Sequence, residues 1–127
     1  MSRGQDSKLI AIVDDDESVQ CALRDLFESE GLSTFCCGSA EQFLESEARY
    51  ETACLISDVR MPGMSGLELH AKLKKERFDR PIIFISAHSD VQMRQHALRD
   101  GALEFLTKPF DNTVLLRIVH VALARVV

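Results

Sequence analysis

Five short apolar runs punctuate the chain, and each is followed by a stretch with a different period. The runs are "KLIAIV", "LSTFCC", "TACLIS", "PIIFIS" and "ALEFLT". Near-continuous apolar runs of this length suit strands buried on both faces, and their alternation with helical segments predicts a parallel sheet with helices on both sides. The intervening segments repeat their apolar positions every three or four residues. In "ESVQCALRDLFESEG", Val19, Leu23, Leu26 and Phe27 share one side, and Gly31 marks the stop. "SAEQFLESE" opens with a Ser-x-x-Gln capping box, "LELHAKLKKE" and "DVQMRQHALRDG" are helical, and "NTVLLRIVHVALARVV" closes the chain as a helix. The reading is therefore an α/β chain of five strands and five helices in one domain over residues 1–127. Residues 1–7 form a flexible lead, and 113–127 form a last helix able to lead into a further domain. The breaker-rich "DVRMPGMSG" after the third strand is a loop shaped by Met61, Pro62 and Met64, with Gly66 assigned to a tight turn.

Charge and cysteine content narrow the function classes. A net charge of −5 argues against nonspecific binding of nucleic acid or a membrane surface by this segment. No apolar run approaches the roughly 18 residues of a membrane span, and the opening "MSRGQDSK" lacks a hydrophobic signal core. The cysteines at 21, 36, 37 and 54 show no CxxC spacing, and most lie in apolar patterns, which points to a reduced, cytoplasmic protein. Adjacent Cys36 and Cys37 face opposite sides of a strand, which disfavours a bond between them. His70, His88, His96 and His120 are scattered and compose no metal set.

In parallel α/β folds, ligands bind at the carboxyl ends of the strands. Here those ends carry Asp14, Asp15 and Asp16 after the first strand, Asp58 after the third, Ser86 after the fourth and Lys108 after the fifth. Crowded carboxylates raise one another's pKa and cost stability unless something positive offsets them. An all-oxygen set suits a hard cation such as Mg²⁺, which binds through one or two carboxylates plus waters and phosphate oxygens. An aspartate beside such an ion can attack phosphorus, a lysine supplies compact positive charge, and a hydroxyl donates a hydrogen bond. Together these groups fit phosphoryl transfer onto a carboxylate, where positioning and charge neutralisation carry the catalysis.

"IVDDDESV", "SDVRMPGMSGLEL", "IFISAHSD" and "EFLTKPF" resemble, in order and in spacing, the signature segments of receiver domains from bacterial two-component response regulators. The wording around Asp58 and Ser86 is most similar to the FixJ-like subgroup, whose receivers precede a LuxR-type helix-turn-helix output. The resemblance implies a doubly wound flavodoxin/CheY-like fold with strand order 2-1-3-4-5. It implies Asp58 as phosphoacceptor, charged by a sensor histidine kinase. Asp15 would be the direct Mg²⁺ ligand (Mn²⁺ serving as substitute), Asp14 an indirect one, and Arg60 would contribute its main-chain carbonyl. Lys108 matches the active-site lysine, with Lys108–Pro109 a cis bond, Ser86 the switch hydroxyl and Phe105 the switch aromatic. Switching would remodel the face formed by the fourth helix, fifth strand and fifth helix.

Plainer readings stand beside several of these. Asp16 is read as the cap of the first helix rather than a ligand. Ser86 also suits a helix cap, Phe105 a packed core ring, and His88 a solvated loop position. In the last helix Leu115, Val119, Ala122 and Val126 suffice to cover a sheet, opposite a polar slice of Thr113, Arg117 and His120. Leu116 and Leu123 on one flank, and Val114 and Val121 on the other, then form an apolar partner face, the Leu116–Leu123 flank being free of Arg125. That face points to a homodimer on phosphorylation or to a docked output domain. Two further readings come from other classes. One is a phosphorylation-independent pseudo-receiver. The other is a haloacid-dehalogenase-type phosphatase, prompted by Asp14-x-Asp16, in which Asp58 would have no task.

Overall fold

The structure, a computed structural model, describes residues 9–88 and 91–124. The expected lead over 1–7, together with Arg125 and Val126 of the last helix, lies outside the described residues. Strands β1 (Leu9–Val13), β2 (Ser33–Cys37), β3 (Thr52–Asp58), β4 (Ile82–Ser86) and β5 (Glu104–Thr107) alternate with helices α1 (Glu17–Glu28), α2 (Ala40–Glu45), α3 (Gly66–Lys75), α4 (Val91–Arg99) and α5 (Asn112–Ala124). A 3₁₀ turn over Glu47–Tyr50, for which the sequence carries no clear signal, follows α2. The strands pair in parallel in the order β2-β1-β3-β4-β5.

Strand periodicity divides the core into two layers. Ile10, Ile12, Cys54, Ile56, Ile83 and Ile85 face Leu23 and Phe27 of α1 and Leu115, Val119 and Ala122 of α5. Their neighbours Ala11, Val13, Leu55, Phe84 and Phe105 face the opposite way, toward Phe43, Leu69, Leu73 and Ala97 of α2, α3 and α4. β1, β3 and β4 therefore have no exposed face, which explains why their sequences run apolar instead of alternating. Cys36 and Cys37 fall in different layers, as their adjacency in a strand requires.

Local chemistry sets the helix starts. Asp16 caps α1, its carboxylate accepting from Ser18 N at 2.9 Å. Ser39 caps α2 by accepting from Gln42 N, but the Gln42 side chain reaches back past the cap to Gly38 N at 2.9 Å, so the expected box is not reciprocal. The reciprocal capping box is instead at α3, where Ser65 accepts from Glu68 N and Glu68 accepts from Ser65 N. One flank of α5 differs from expectation. Leu116 and Leu123 are half-buried against the α1/α5 layer, because a helix lying on a sheet covers more than its central stripe. Val114 and Val121, at 37% and 52% exposure, are the open apolar positions.

Gly66 has a role other than the tight turn assigned to it. It is the first residue of α3, and a Cβ there would stand 2.2 Å from the main-chain oxygen of Asp58. The positive φ in this loop belongs to Gly63, at 78°. Gly66→Ala must therefore push α3 and the end of β3 apart, costing about 1–3 kcal/mol in urea unfolding; an unchanged midpoint would refute that contact.

Candidate functional site

The carboxyl edge of the sheet collects the charged residues that the strand ends deliver. Asp14 follows β1 directly and is fully buried, whereas Asp15 beside it is exposed. The Asp14 carboxylate accepts from Asp16 N at 2.9 Å, and its main-chain oxygen accepts from Gln20 Nε2 at 2.6 Å. Asp58, at 7% exposure, accepts from Val59 N at 2.8 Å. Lys108 reaches over from the end of β5, placing Nζ 3.0 Å from Asp14 and 3.6 Å from Asp58. The Lys108–Pro109 peptide is cis.

Asp14, Asp15 and Asp58 each bring a carboxylate oxygen to one point, all within 4.8 Å of one another. These donors are hard oxygens, some buried and some open, and they fit a divalent cation of the Mg²⁺ kind better than a thiophilic metal. Asp16 stays outside this group because Ser18 N and Oγ hold its carboxylate as a helix cap, an arrangement that keeps its pKa low. The Asp14-x-Asp16 pairing required by the phosphatase reading thus has one member turned away.

Electrostatics follow from the geometry. Burial pushes the Asp58 carboxyl above its usual value and the charge of Asp14 adds to this, with Lys108 and the Val59 N–H acting against them. Burial works to lower the Lys108 ammonium, but the hydrogen bond and charge of Asp14, then Asp58, prevail and hold it above its ordinary value. The pocket is a strained set of like charges clamped by one amine.

Other residues named from sequence take definite places. Ser86 is buried at the end of β4, and its Oγ accepts from His88 N at 3.1 Å. The side chains of Arg60 and His88 are exposed. Phe105 is buried, with its ring 6.4 Å from that of Phe84, which in turn stacks edge-on with buried His70 at 5.7 Å. Three contributors carried no recognisable sequence signal. Gln20 braces the Asp14 carbonyl, Glu41 accepts from Met64 N at 3.0 Å and so ties the loop after Asp58 to α2, and Arg94 of α4 donates to the Phe105 carbonyl at 3.0 Å. Arg94 also pairs with Glu104 at 3.6 Å, so α4 is fastened to β5 beside Phe105.

A raised Asp58 pKa means that the folded state holds its proton more tightly than the unfolded chain. Stability from this group is therefore present at low pH and is lost as pH rises through the folded value. At neutral pH without divalent cations, Asp58→Asn should stabilise the fold by about 1 kcal/mol. Mg²⁺ should raise the wild-type melting temperature more than that of the variant. Thermal unfolding with chelator and with Mg²⁺ checks both, and a variant less stable than wild type in chelator would refute the crowding.

Comparison with known proteins agrees with this geometry. The family model described as the response regulator receiver domain matches residues 10–120. The response regulator protein TodT of Pseudomonas putida is 46% identical over 117 residues, covering 92% of this chain and 52% of that protein. Among solved structures, the response regulator StyR superposes with a TM-score of 0.87 at 40% identity, covering 94% of this chain and 61% of that one. FixJ-N superposes at 0.83 and 34% identity, covering 94% and 96%. The chain spans about half the length of the curated relatives it matches. With this sheet order, this acidic pocket and FixJ among its relatives, the chain belongs to the receiver domains of response regulators.

Proposed function

We propose that this receiver works as a phosphoaccepting switch in which Asp58 takes a phosphoryl group from a phosphohistidine of a sensor histidine kinase. The observation that carries this reading is the convergence of Asp14, Asp15 and Lys108 on Asp58. An Asp58 carboxylate oxygen forms the new bond to phosphorus as the bond from phosphorus to the histidine nitrogen breaks, and the imidazole leaves. Asp15, Asp58 and the Arg60 main-chain carbonyl, with Asp14 acting indirectly, would hold a Mg²⁺ ion, which would supply neutralising charge for the phosphoryl oxygens. Lys108 places its ammonium where the transferred group's negative charge gathers, and its pairing with Asp14 keeps it aimed into the pocket. The Val59 N–H fixes the Asp58 rotamer, so the nucleophile is set before the donor arrives. The domain's only chemistry in this reading is its own phosphorylation and dephosphorylation.

Readout runs through Ser86 and Phe105. Moving the Ser86 hydroxyl toward the phosphoryl group gives up its bond from His88 N and pulls on the loop that enters α4. The fastening of Arg94 to the Phe105 carbonyl and to Glu104 gives α4 and β5 a joint to rearrange. The face formed by α4, β5 and α5 then controls homodimerisation or a C-terminal helix-turn-helix output domain, consistent with relatives named as transcriptional regulators. Val114 and Val121 are its exposed apolar positions, and Leu116 and Leu123 its half-buried flank. In this reading the protein works in the cytoplasm; among the described residues no helix is long and apolar enough to cross a membrane.

Intact-mass spectrometry after incubation with acetyl phosphate tests the acceptor. Wild type should gain one phosphoryl group only with Mg²⁺ or Mn²⁺, and Asp58→Asn should gain none. No gain under any condition would favour the pseudo-receiver, and a gain surviving in Asp58→Asn would redirect attention to Asp14. Lys108→Met should lower the rate of phosphorylation by about 10-fold or more, the scale of a lost charged partner in a partly buried site.

A further inference from the structure

Sequence spacing separates the cysteines, but the fold brings two of them to one place. Cys21 is exposed on α1 and Cys36 is half-buried on β2, the edge strand beneath it. The Cys36 thiol points at the main-chain oxygen of Gln20, 3.9 Å away. That oxygen belongs to the peptide joining Gln20 to Cys21, so the Cys36 sulfur lies against the backbone that carries Cys21. Arg24, one turn further along α1, donates from Nη2 to the Cys21 sulfur at 3.3 Å. Its guanidinium interacts with both sulfurs, the Cys21 contact being the stronger, and Asp25 is a rival partner at 4.0 Å. Burial raises the Cys36 thiol, and Arg24 works against that rise. By contrast Cys37 and Cys54 are buried in apolar surroundings that push their thiols up to about 11 and about 12, so they are inert.

We propose that Cys21 and Cys36 form a peroxide-responsive thiol pair that closes to a disulfide joining α1 to β2. The guanidinium of Arg24 donates to the Cys21 sulfur, the nucleophile of the pair, at a site open to small oxidants. The thiolate sulfur attacks one oxygen of a hydroperoxide and the O–O bond breaks. Cys21 becomes a sulfenic acid, oxidised by two electrons, and the other oxygen leaves as hydroxide or alkoxide, which takes a proton to become water or alcohol. The Cys36 sulfur then attacks the Cys21 sulfur, and the sulfenic hydroxyl departs as water with the Cys36 proton. Small thiols reverse the bond by exchange. Cys21 is one residue from Gln20, whose side chain braces the Asp14 main-chain oxygen. None of this chemistry depends on phosphorylation of Asp58.

The test treats the reduced full chain with hydrogen peroxide, blocks free thiols and reads intact mass and peptide linkage. Wild type should lose the mass of two hydrogens, with the peptides carrying Cys21 and Cys36 linked. Cys36→Ser should stop at a dimedone-reactive Cys21, and Cys21→Ser should leave Cys36 free. Arg24→Gln, folded as judged by circular dichroism, should slow the oxidation of Cys21 by about threefold or more. An unreactive Cys21, a Cys21–Cys21 link between chains, a sulfenic acid that persists beside free Cys36, or an Arg24→Gln variant with wild-type rate would each overturn the proposal.

Discussion

The ion pair between Lys108 and Asp14 connects the last strand of the sheet to the first, across 3.0 Å of space and nearly the whole chain. Two strands lie between β1 and β5 in the sheet, so the lysine extends its stem over the carboxyl ends of β3 and β4 to reach Asp14. That path carries it past Asp58, which sits at the end of β3. Without the amine, Asp14 would be a fully buried carboxylate with, among the described residues, the Asp16 N–H alone on its carboxylate oxygens, an expensive arrangement. The amine is only half of the balance. Three carboxylates meet one ammonium, and the remaining negative charge makes the donor set one that fits a hard divalent cation.

The same edge explains why rigid and movable parts lie so close together. β1, β3 and β4 are buried on both faces, and Gly66 lets α3 press against the Asp58 backbone so closely that a single methyl would not fit. Asp58 is therefore held by packing from below and by the Val59 N–H beside it. On the β4–β5 side the contacts are of another kind. The Ser86 hydroxyl accepts from an N–H of its own loop, and α4 joins β5 through Arg94, a long side chain with a half-exposed partner in Glu104. Surface ion pairs of that type contribute little stability and are easily exchanged. In the proposed switch, this sets a stiff acceptor beside a loosely fastened reporter.

The layers of the fold were legible in the sequence because they arise from local periodicity. Runs such as "TACLIS" have no alternation, and that alone states burial on both faces. The placement of Asp14, Asp58, Ser86 and Lys108 at one edge follows from the parallel alternation and needs no side-chain detail. The capping of α1 by Asp16 was legible too. What remained hidden depends on contacts between elements far apart in sequence. Gln20 is one more polar helix residue until β1 is seen to end beside it, and Glu41 looks solvated until the Met64 N–H arrives. Gly66 was read through its backbone freedom, whereas its reason is the missing Cβ. The Leu116–Leu123 flank of α5 was misjudged because helical periodicity gives a direction but not how far a sheet and its neighbouring side chains rise around the helix.

Phe105 shows where packing and function become hard to separate in a sequence and easier in a structure. A buried phenylalanine on a strand is ordinary core, and here its ring packs in the layer shared with Phe84, His70 and the α3 and α4 helices. What distinguishes it is the backbone. Its carbonyl takes the Arg94 hydrogen bond, and its N–H goes to the side chain of Glu104, which is also the partner of Arg94. A change in the Phe105 rotamer must therefore be accommodated by a residue whose main chain is held by two ionic side chains rather than by a second sheet neighbour, since β5 is an edge strand. An edge strand with one free side can shift without breaking a ladder on its outer flank. In the proposed switch, that freedom, more than the identity of the aromatic ring, is what lets a charge change at Asp58 reach the surface along this edge of the sheet.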